Sequence, residues 1–346
     1  MTQRKNHLDL AKGITIIIVV YGHAINQLRG TLFFEEHLQL QSKIIFSFIM
    51  PVFFIIAASF QRIRLESLNF KHKTYLKKIT KSILLPFYSL SLVFLCINVS
   101  FKNYINAPSV KEMLYALFLQ QSNGDLMPSG VLYFLFTLFI FTLTTYFSFK
   151  ILKISPIVLI ILAIILRSDL NIYSNSYYFA FDRISRFFIF YMFGYYYKSI
   201  INFPIHKTKP LFLIFLSYIL LIMLSCDIFP NNSFILLIRE LASLFGAHGL
   251  LAALFVLGVS FLLSEKFNEE KIIKILTYYG ALSLLVYVFH MPTFKIINIA
   301  ATTLNLDPGY IKVILLFLPG ILFPLIYGKI LSNNKLIYQL LLGRNP

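Results

Sequence analysis

Two ionisable side chains stand in the first apolar run of the chain, DLAKGITIIIVVYGHAINQ: Lys12 and, eleven residues on, His23. At 100° per residue this spacing brings them within about 20° of one helix face and about 16 Å apart along the axis, so they cannot touch and instead mark two stations on one path. A span over roughly 11–30 places Lys12 at the cytoplasmic interface and His23 close to the bilayer centre. Ionisable groups at that depth are costly and are usually retained for a task. A neutral imidazole can take the proton of an attacking hydroxyl, or accept the transferred group itself. The plainer alternative is a core histidine hydrogen-bonded across helices. Asp9, three residues before Lys12, is spaced for a local ion pair and suits a helix N-terminus. It lies about 21 Å from His23 along a straight helix, which rules out an Asp–His dyad within this run. Gly13 and Gly22 leave the backbone open to a neighbour, and Asn26, one turn past His23, is placed to hold a ring nitrogen.

Similar groups recur later. In YYGALSLLVYVFHMP, Gly280, Ser283, Tyr287 and His290 fall on one helical stripe opposite aliphatic positions. Two histidine-bearing polar stripes suggest a lined cavity. In FKHKTYLKKITKSILLPFY, Lys77, Lys78 and Lys81 run into the start of an apolar span. Most lysines of that stretch read as topology signals, while these three are also placed to hold the phosphates of a cytoplasmic anion. On the far side, Asp182, Arg183 and Arg186 open one span, Asp125 precedes another, and Arg239, Glu240 and His248 open a third. Taken singly each suits interfacial anchoring; together they can line a vestibule for a hydroxyl-rich ligand.

The elements that must position these residues follow from composition. Of 346 residues 58% are hydrophobic and only 13% charged, more apolar surface than a soluble domain can hide. Apolar runs long enough to cross a bilayer recur at roughly 11–30, 41–61, 80–100, 129–149, 152–167, 184–202, 210–229, 240–263, 273–297 and 310–332. The expected fold class is all-α: a polytopic membrane protein of about ten transmembrane helices. No connector is long enough for a separate soluble domain, so residues 1–346 read as a single integral-membrane domain without a fused extracytoplasmic one; the longest connectors are 61–79 and 100–128.

A net charge of +17 raises the possibility of a nucleic-acid partner, but about two-thirds of the 31 Lys and Arg fall in alternate connectors, the pattern of a chain with both termini cytoplasmic. Nucleic acid is thereby set aside and membrane lipids are the implied surroundings. The basic start followed by an apolar run lacks a small-residue cleavage site and reads as a retained first helix. Cys96 and Cys226 both lie in apolar runs and give neither a disulfide framework nor a metal spacing. With no Trp in the chain, tyrosines such as Tyr195, Tyr196 and Tyr197 are left to form the interfacial belt.

With these residues in view, the chain resembles the acyltransferase 3 family of integral-membrane acyltransferases, in its fucose 4-O-acetylase-like, surface-polysaccharide O-acetyltransferase branch. That family's first helix opens with Leu-Asp, then Lys-Gly or Arg-Gly, and closes on Val-Val-x-Gly-His, a basic residue and a histidine with ten residues between them. Here LDLAKGITIIIVVYGH puts Lys12 and His23 at the matching positions. MPVFFIIAASF is similar to the family's Pro-x-Phe-Phe-x-x-Ser-Gly-Phe element, KKITKSILLPF to its basic run before Leu-Pro, GVLYFLFTLF to its Trp-Phe-Leu element, and SLLVYVFHMP to its Ser…Tyr…His-x-Pro element. Ala57 and Ala58 depart from the usual Ser-Gly, Tyr133 from the usual Trp, and lysines stand where arginines are common. Such lysines act as point charges, without bidentate phosphate recognition.

The resemblance implies ten helices and transfer of an acyl group, most often acetyl, from cytoplasmic acyl-CoA to a hydroxyl of a surface glycan or its lipid-linked precursor, in a bacterial inner membrane. Acetyl-CoA is then a co-substrate and no metal is implied. On this reading Lys12, Lys77, Lys78 and Lys81 hold the CoA phosphates, His23 is the base or a transient acyl carrier, and His290 or Tyr287 donates to the oxyanion. Asp125, Arg183, Arg186 and Arg239 face the acceptor. Some relatives carry a fused hydrolase-like domain; without one, the chain is expected to bind the acceptor itself or to pass the acyl group to a separate protein. A transporter or flippase for a glycan or an anionic metabolite would also use many helices and buried polar groups. Neither it nor a glycan polymerase accounts for the ordered motifs.

Overall fold

The structure is a computed structural model that describes residues 6–67, 70–100, 109–119, 130–168, 181–200, 208–225, 233–244, 246–304 and 309–345. In chain order the helices are α1 (Asn6–Asn26), α2 (Glu36–Leu65), α3 (His72–Ile79), α4 (Leu85–Ser100), α5 (Val110–Leu119), α6 (Tyr133–Tyr146), α7 (Pro156–Ser168), α8 (Phe181–Ile200), α9 (Thr208–Ser225), α10 (Ser233–Leu244), α11 (Ala247–Lys266), α12 (Lys271–Ala281), α13 (Ser283–Thr303), α14 (Ile311–Ser332) and α15 (Lys335–Leu342). Single π-helical turns, Thr80–Leu84 and Phe147–Ile151, follow α3 and α6. No strand occurs among the described residues.

Seven helices among the described residues are long and apolar enough to cross a membrane: Asn6–Asn26, Glu36–Leu65, His72–Ser100, Tyr133–Ile151, Ala247–Lys266, Ser283–Thr303 and Ile311–Ser332. The chain is a polytopic all-α protein. Of the other expected runs, 152–167 and 210–229 are shorter apolar helices, Pro156–Arg167 and Lys209–Leu224, and 184–202 corresponds to α8. Helices suit this setting because a bilayer offers no water to backbone groups, and a helix satisfies them within one segment. The unburied face of α14 shows what that solvent is: Ile311, Ile314, Leu315, Leu318, Leu322, Ile326 and Ile330, spaced by one, three or four residues, are all exposed.

The chain divides into two compact units. The first comprises Met1–Ile63, Pro156–Ser168 and Phe187–Ser283. Within it α1 packs on α12 and α11, and Ile16, Val19, Val20, Ala24 and Ile25 of α1 are wholly buried. Two glycines set how closely α1 and α12 approach. A Cβ at Gly13 would stand 1.8 Å from the Leu276 carbonyl oxygen, and one at Gly280 would stand 1.6 Å from that of Asp9. The two backbones are therefore in contact, the arrangement that small residues permit in membranes. Gly280→Ala is expected to lower the melting temperature of the detergent-solubilised protein, at a cost of about 1–3 kcal/mol typical of overpacking. An unchanged melting curve would mean that α12 is not held against α1 in this way.

Three expected spans are corrected here. The run 240–263 is not one helix: its first residues belong to α10, which ends at Leu244, and α11 starts at Ala247 after Gly246 at φ 62°. The first helix begins at Asn6 and ends at Asn26, after which the chain turns through Gly30 at φ 84°, so His23 lies in the last turn of α1 rather than at its centre. The polar run His23, Asn26, Gln27 marks the end of the helix. The run 273–297 is two helices, because Leu282 leaves helical geometry at φ −99°, ψ 9°. Its N–H still closes the end of α12 on Tyr278 and Tyr279, and a serine opens α13. The supposed stripe is thereby divided: Gly280 is spent on the α1 contact, and Tyr287 and His290 belong to the second unit.

The second unit comprises Arg64–Ser155, Asp169–Arg186 and Leu284–Pro346. Its α6 packs against the π turn Thr80–Leu84, and α15 against α4. Asn334 caps α15 by accepting from the N–H groups of Leu336 and Ile337, each at 3.1 Å. Gly343 ends it in the left-handed region at φ 67°, pressed onto the same π turn, where a Cβ would meet the Ser82 carbonyl oxygen at 2.6 Å. The segment carrying Lys81 is thus braced from two sides.

Candidate active site

In the first unit, Lys12 stands in the second turn of α1 and His23 in the last. Lys12 Nζ pairs with Asp9 Oδ1 at 2.6 Å, the local ion pair that the spacing predicts, and Asp9 is only 4% exposed. His23 is half-buried, with the Phe46 ring packed against it at 5.0 Å and nearly perpendicular. Polar pairs from α1 to α2 flank it: Tyr21 donates to Gln41 Oε1 at 2.8 Å, and Ser42 donates to Asn26 Oδ1 at 2.7 Å. The Asn26 carbonyl oxygen is therefore engaged by α2.

Arg239 and His248 also belong to the first unit. The Arg239 Nε donates to the Leu224 carbonyl at 2.5 Å and the His248 Nε2 to that of Leu221 at 3.2 Å, both at the C-terminal end of α9. Carbonyls at a helix end lack intrahelical partners and attract cationic donors, so Arg239 closes a helix here.

The second unit brings together more of the expected residues. Tyr287 donates its hydroxyl to the Val131 carbonyl at 2.5 Å, and its ring packs on Phe134 at 5.5 Å. His290, one turn on and wholly buried, has its ring 6.2 Å from that of Tyr287 and 5.6 Å from that of Phe294. The His290 Nδ1 lies 3.1 Å from the Val286 carbonyl oxygen. A carbonyl only accepts, so Nδ1 carries the proton, and in the neutral ring Nε2 presents a lone pair.

At the entry to α6, the Arg183 guanidinium lies over the Tyr133 ring at 4.8 Å, and Arg183 Nε is 3.1 Å from Asp182 Oδ2. Arg183, Arg186 and Asp182 all act electrostatically on Tyr133, and Tyr133 and Arg183 on Tyr287. Tyr287, His290, Arg183 and Arg186 thus form one neighbourhood, joined by a tyrosine singled out only as a departure from a motif. Asp125 lies outside the described residues.

Lys77 and Lys78, in the last turn of α3, and Lys81, in the π turn, are all exposed. They are available to an anion. Behind them Tyr75 stacks on Tyr146 at 5.0 Å, and the Tyr146 hydroxyl meets His72 Nδ1 at 2.9 Å.

One residue here has no signal in the sequence. Thr137, one turn after Tyr133, is wholly buried, and its hydroxyl has no hydrogen-bond partner. Buried Thr15, Ser91, Thr145 and Thr293 instead donate to the carbonyl four residues back. In an apolar run all five look alike.

The described residues thus make a polytopic helical membrane protein with a half-buried histidine in its first unit and, in its second, a buried histidine, exposed lysines at a helix entry and an arginine–tyrosine group. The chain belongs to the acyltransferase 3 family, whose model, described as an acyltransferase domain, matches residues 5–329. It is a membrane acyltransferase. No curated protein and no solved structure matches the chain.

Proposed function

We propose that the protein is an O-acyltransferase of a bacterial cytoplasmic membrane, moving an acyl group, most simply acetyl, from cytoplasmic acyl-CoA to a hydroxyl of a surface glycan or its lipid-linked precursor. The observation that carries this reading is the disposition of α1: a cation paired with Asp9 in its second turn, and on the same stripe, about three turns on, a histidine in the last. That separation of about 16 Å suits an extended pantetheine arm, with phosphates at the lysine and thioester toward the histidine.

His23 serves as general base or transient acyl acceptor. As the base it takes the proton of the acceptor hydroxyl while the oxygen attacks the thioester carbonyl; the carbon–sulfur bond then breaks, and the proton passes to the departing thiolate. As the acceptor, its ring nitrogen makes the first attack and the hydroxyl the second. Lys77, Lys78 and Lys81 fit a phosphate-holding role, being exposed on successive turns of one segment. Lys12, with Asp9 at 2.6 Å, shares its charge with that carboxylate. Arg183 and Arg186, beside Tyr133, serve the acceptor.

The deciding test is thiol release from acetyl-CoA by purified protein supplied with lipid-linked glycan. Acceptor-dependent release is expected, whereas a transporter or flippase would release none. Changing Lys78 and Lys81 together to Gln is expected to raise the apparent KM for acyl-CoA and leave that for the acceptor nearly unchanged. An unaltered KM at normal expression would return these lysines to the role of topology signals.

A further inference from the structure

α13 carries an ionisable group that this chemistry does not use. Lys295 is half-buried and donates from Nζ to the Asn98 side-chain oxygen on α4. Asn98 is only 5% exposed, and its Nδ2 reaches Met113 Sδ on α5 at 3.7 Å. The orientation of that amide is chemically forced: an ammonium only donates and a thioether only accepts, so the oxygen must face Lys295 and the nitrogen must face Met113. Three helices thereby hold one ammonium in a fixed place. No carboxylate among the described residues lies within ion-pair distance of it. A partly buried charge held by a neutral amide is expensive unless an anion completes it.

We infer that Lys295 is an anion site for a phosphate group, with Asn98 as the residue that positions its ammonium. Asn98 lies two residues before the 100–128 stretch that the sequence reads as a connector between spans, which places the ammonium near the headgroup level of the membrane. At that level phosphates are the abundant anions: those of phospholipid headgroups, or that of a polyprenyl carrier bearing the glycan. Only the second source rests on the proposed function. An ammonium is a compact point charge with two donors left after Asn98, which matches a tetrahedral phosphate without demanding the planar fork of arginine.

The test is binding in micelles of a phosphate-free maltoside detergent, read by native mass spectrometry, with polyprenyl monophosphate, the neutral polyprenol of the same length and phosphatidylglycerol as probes. It needs no acyl donor, so its outcome is independent of the thiol-release assay. Wild type is expected to prefer polyprenyl phosphate to polyprenol by at least about tenfold, equivalent to about 1.4 kcal/mol. Lys295→Gln removes the charge and Asn98→Asp gives it a built-in carboxylate. Both are expected to abolish the preference, and Lys295→Arg to keep most of it. Equal competition by phosphatidylglycerol assigns the phosphate to the bilayer; its failure to compete assigns it to the acceptor's carrier. The inference is overturned if wild type shows no preference, or if Asn98→Asp or a folded Lys295→Gln binds polyprenyl phosphate as wild type does. Asn98→Asp and the wild-type comparison decide the matter should Lys295→Gln not fold.

Discussion

His23→Ala is expected to lower acyl transfer by about 10²–10⁴, the usual loss on removing a general base, while the protein remains folded and inserted. The fold should survive because the contacts around His23 do not depend on it. Tyr21 to Gln41 and Ser42 to Asn26 still join α1 to α2 on either side, and the rest of α1 stays buried against α11 and α12. The measurement is turnover at equal amounts of detergent-stable protein. A cross-helix hydrogen bond in a membrane averages about 0.6 kcal/mol, so a purely structural His23 predicts less than a tenfold effect. A variant keeping about a third of the wild-type rate, well inside that structural range, would end the proposed role.

His290 gives the second large effect, and its tautomer decides which substitution is informative. With Nδ1 donating to the Val286 carbonyl, the neutral ring offers Nε2 as an acceptor, so the oxyanion-donor role requires an imidazolium. His290→Gln retains an N–H donor and removes the basic lone pair. If His290 accepts a proton, Gln and Ala variants should be equally impaired, by about 10²–10⁴. A Gln variant that holds most of the wild-type turnover while Ala loses about 10²–10³ would instead assign His290 to the oxyanion. Because His290 is wholly buried, both variants need melting curves beside the rates, so that a cavity is not mistaken for lost chemistry.

Composition and motif spacing made the all-helical membrane fold legible, along with the family and the Asp9–Lys12 pair, because all three rest on local periodicity or short-range spacing. What they could not register is a change of direction inside apolar sequence. Ala281, Leu282 and Ser283 read as one hydrophobic run, yet α12 stops there because its end is held against the α1 backbone at Gly280, a contact with a segment more than 260 residues away. Arg239 stands inside α10, and its bond to the Leu224 carbonyl left no signal because an arginine in sequence gives no hint that another helix ends beside it. Thr137 and Lys295 escaped notice for a related reason. Which hydroxyl lacks a partner, and which lysine lacks a carboxylate, are properties of packed neighbours and leave no trace in spacing.

The π turn at Thr80–Leu84 sets the phase between two parts of one rod. A π turn closes its hydrogen bonds five residues on instead of four, so it holds one residue more than the α-helical turn it replaces. Loss of a single codon within 80–84 would let α3 run into α4 as continuous α-helix, and Lys77 and Lys78 would swing by about 100° around the axis relative to Pro86 and Phe87. Gly343, docked on Ser82, would lose its seat at the same stroke. Drift in this segment is thus constrained by length as well as by residue type: a substitution at Lys81 removes one charge, whereas a one-residue deletion beside it turns the neighbouring lysines to a different azimuth with every side chain intact.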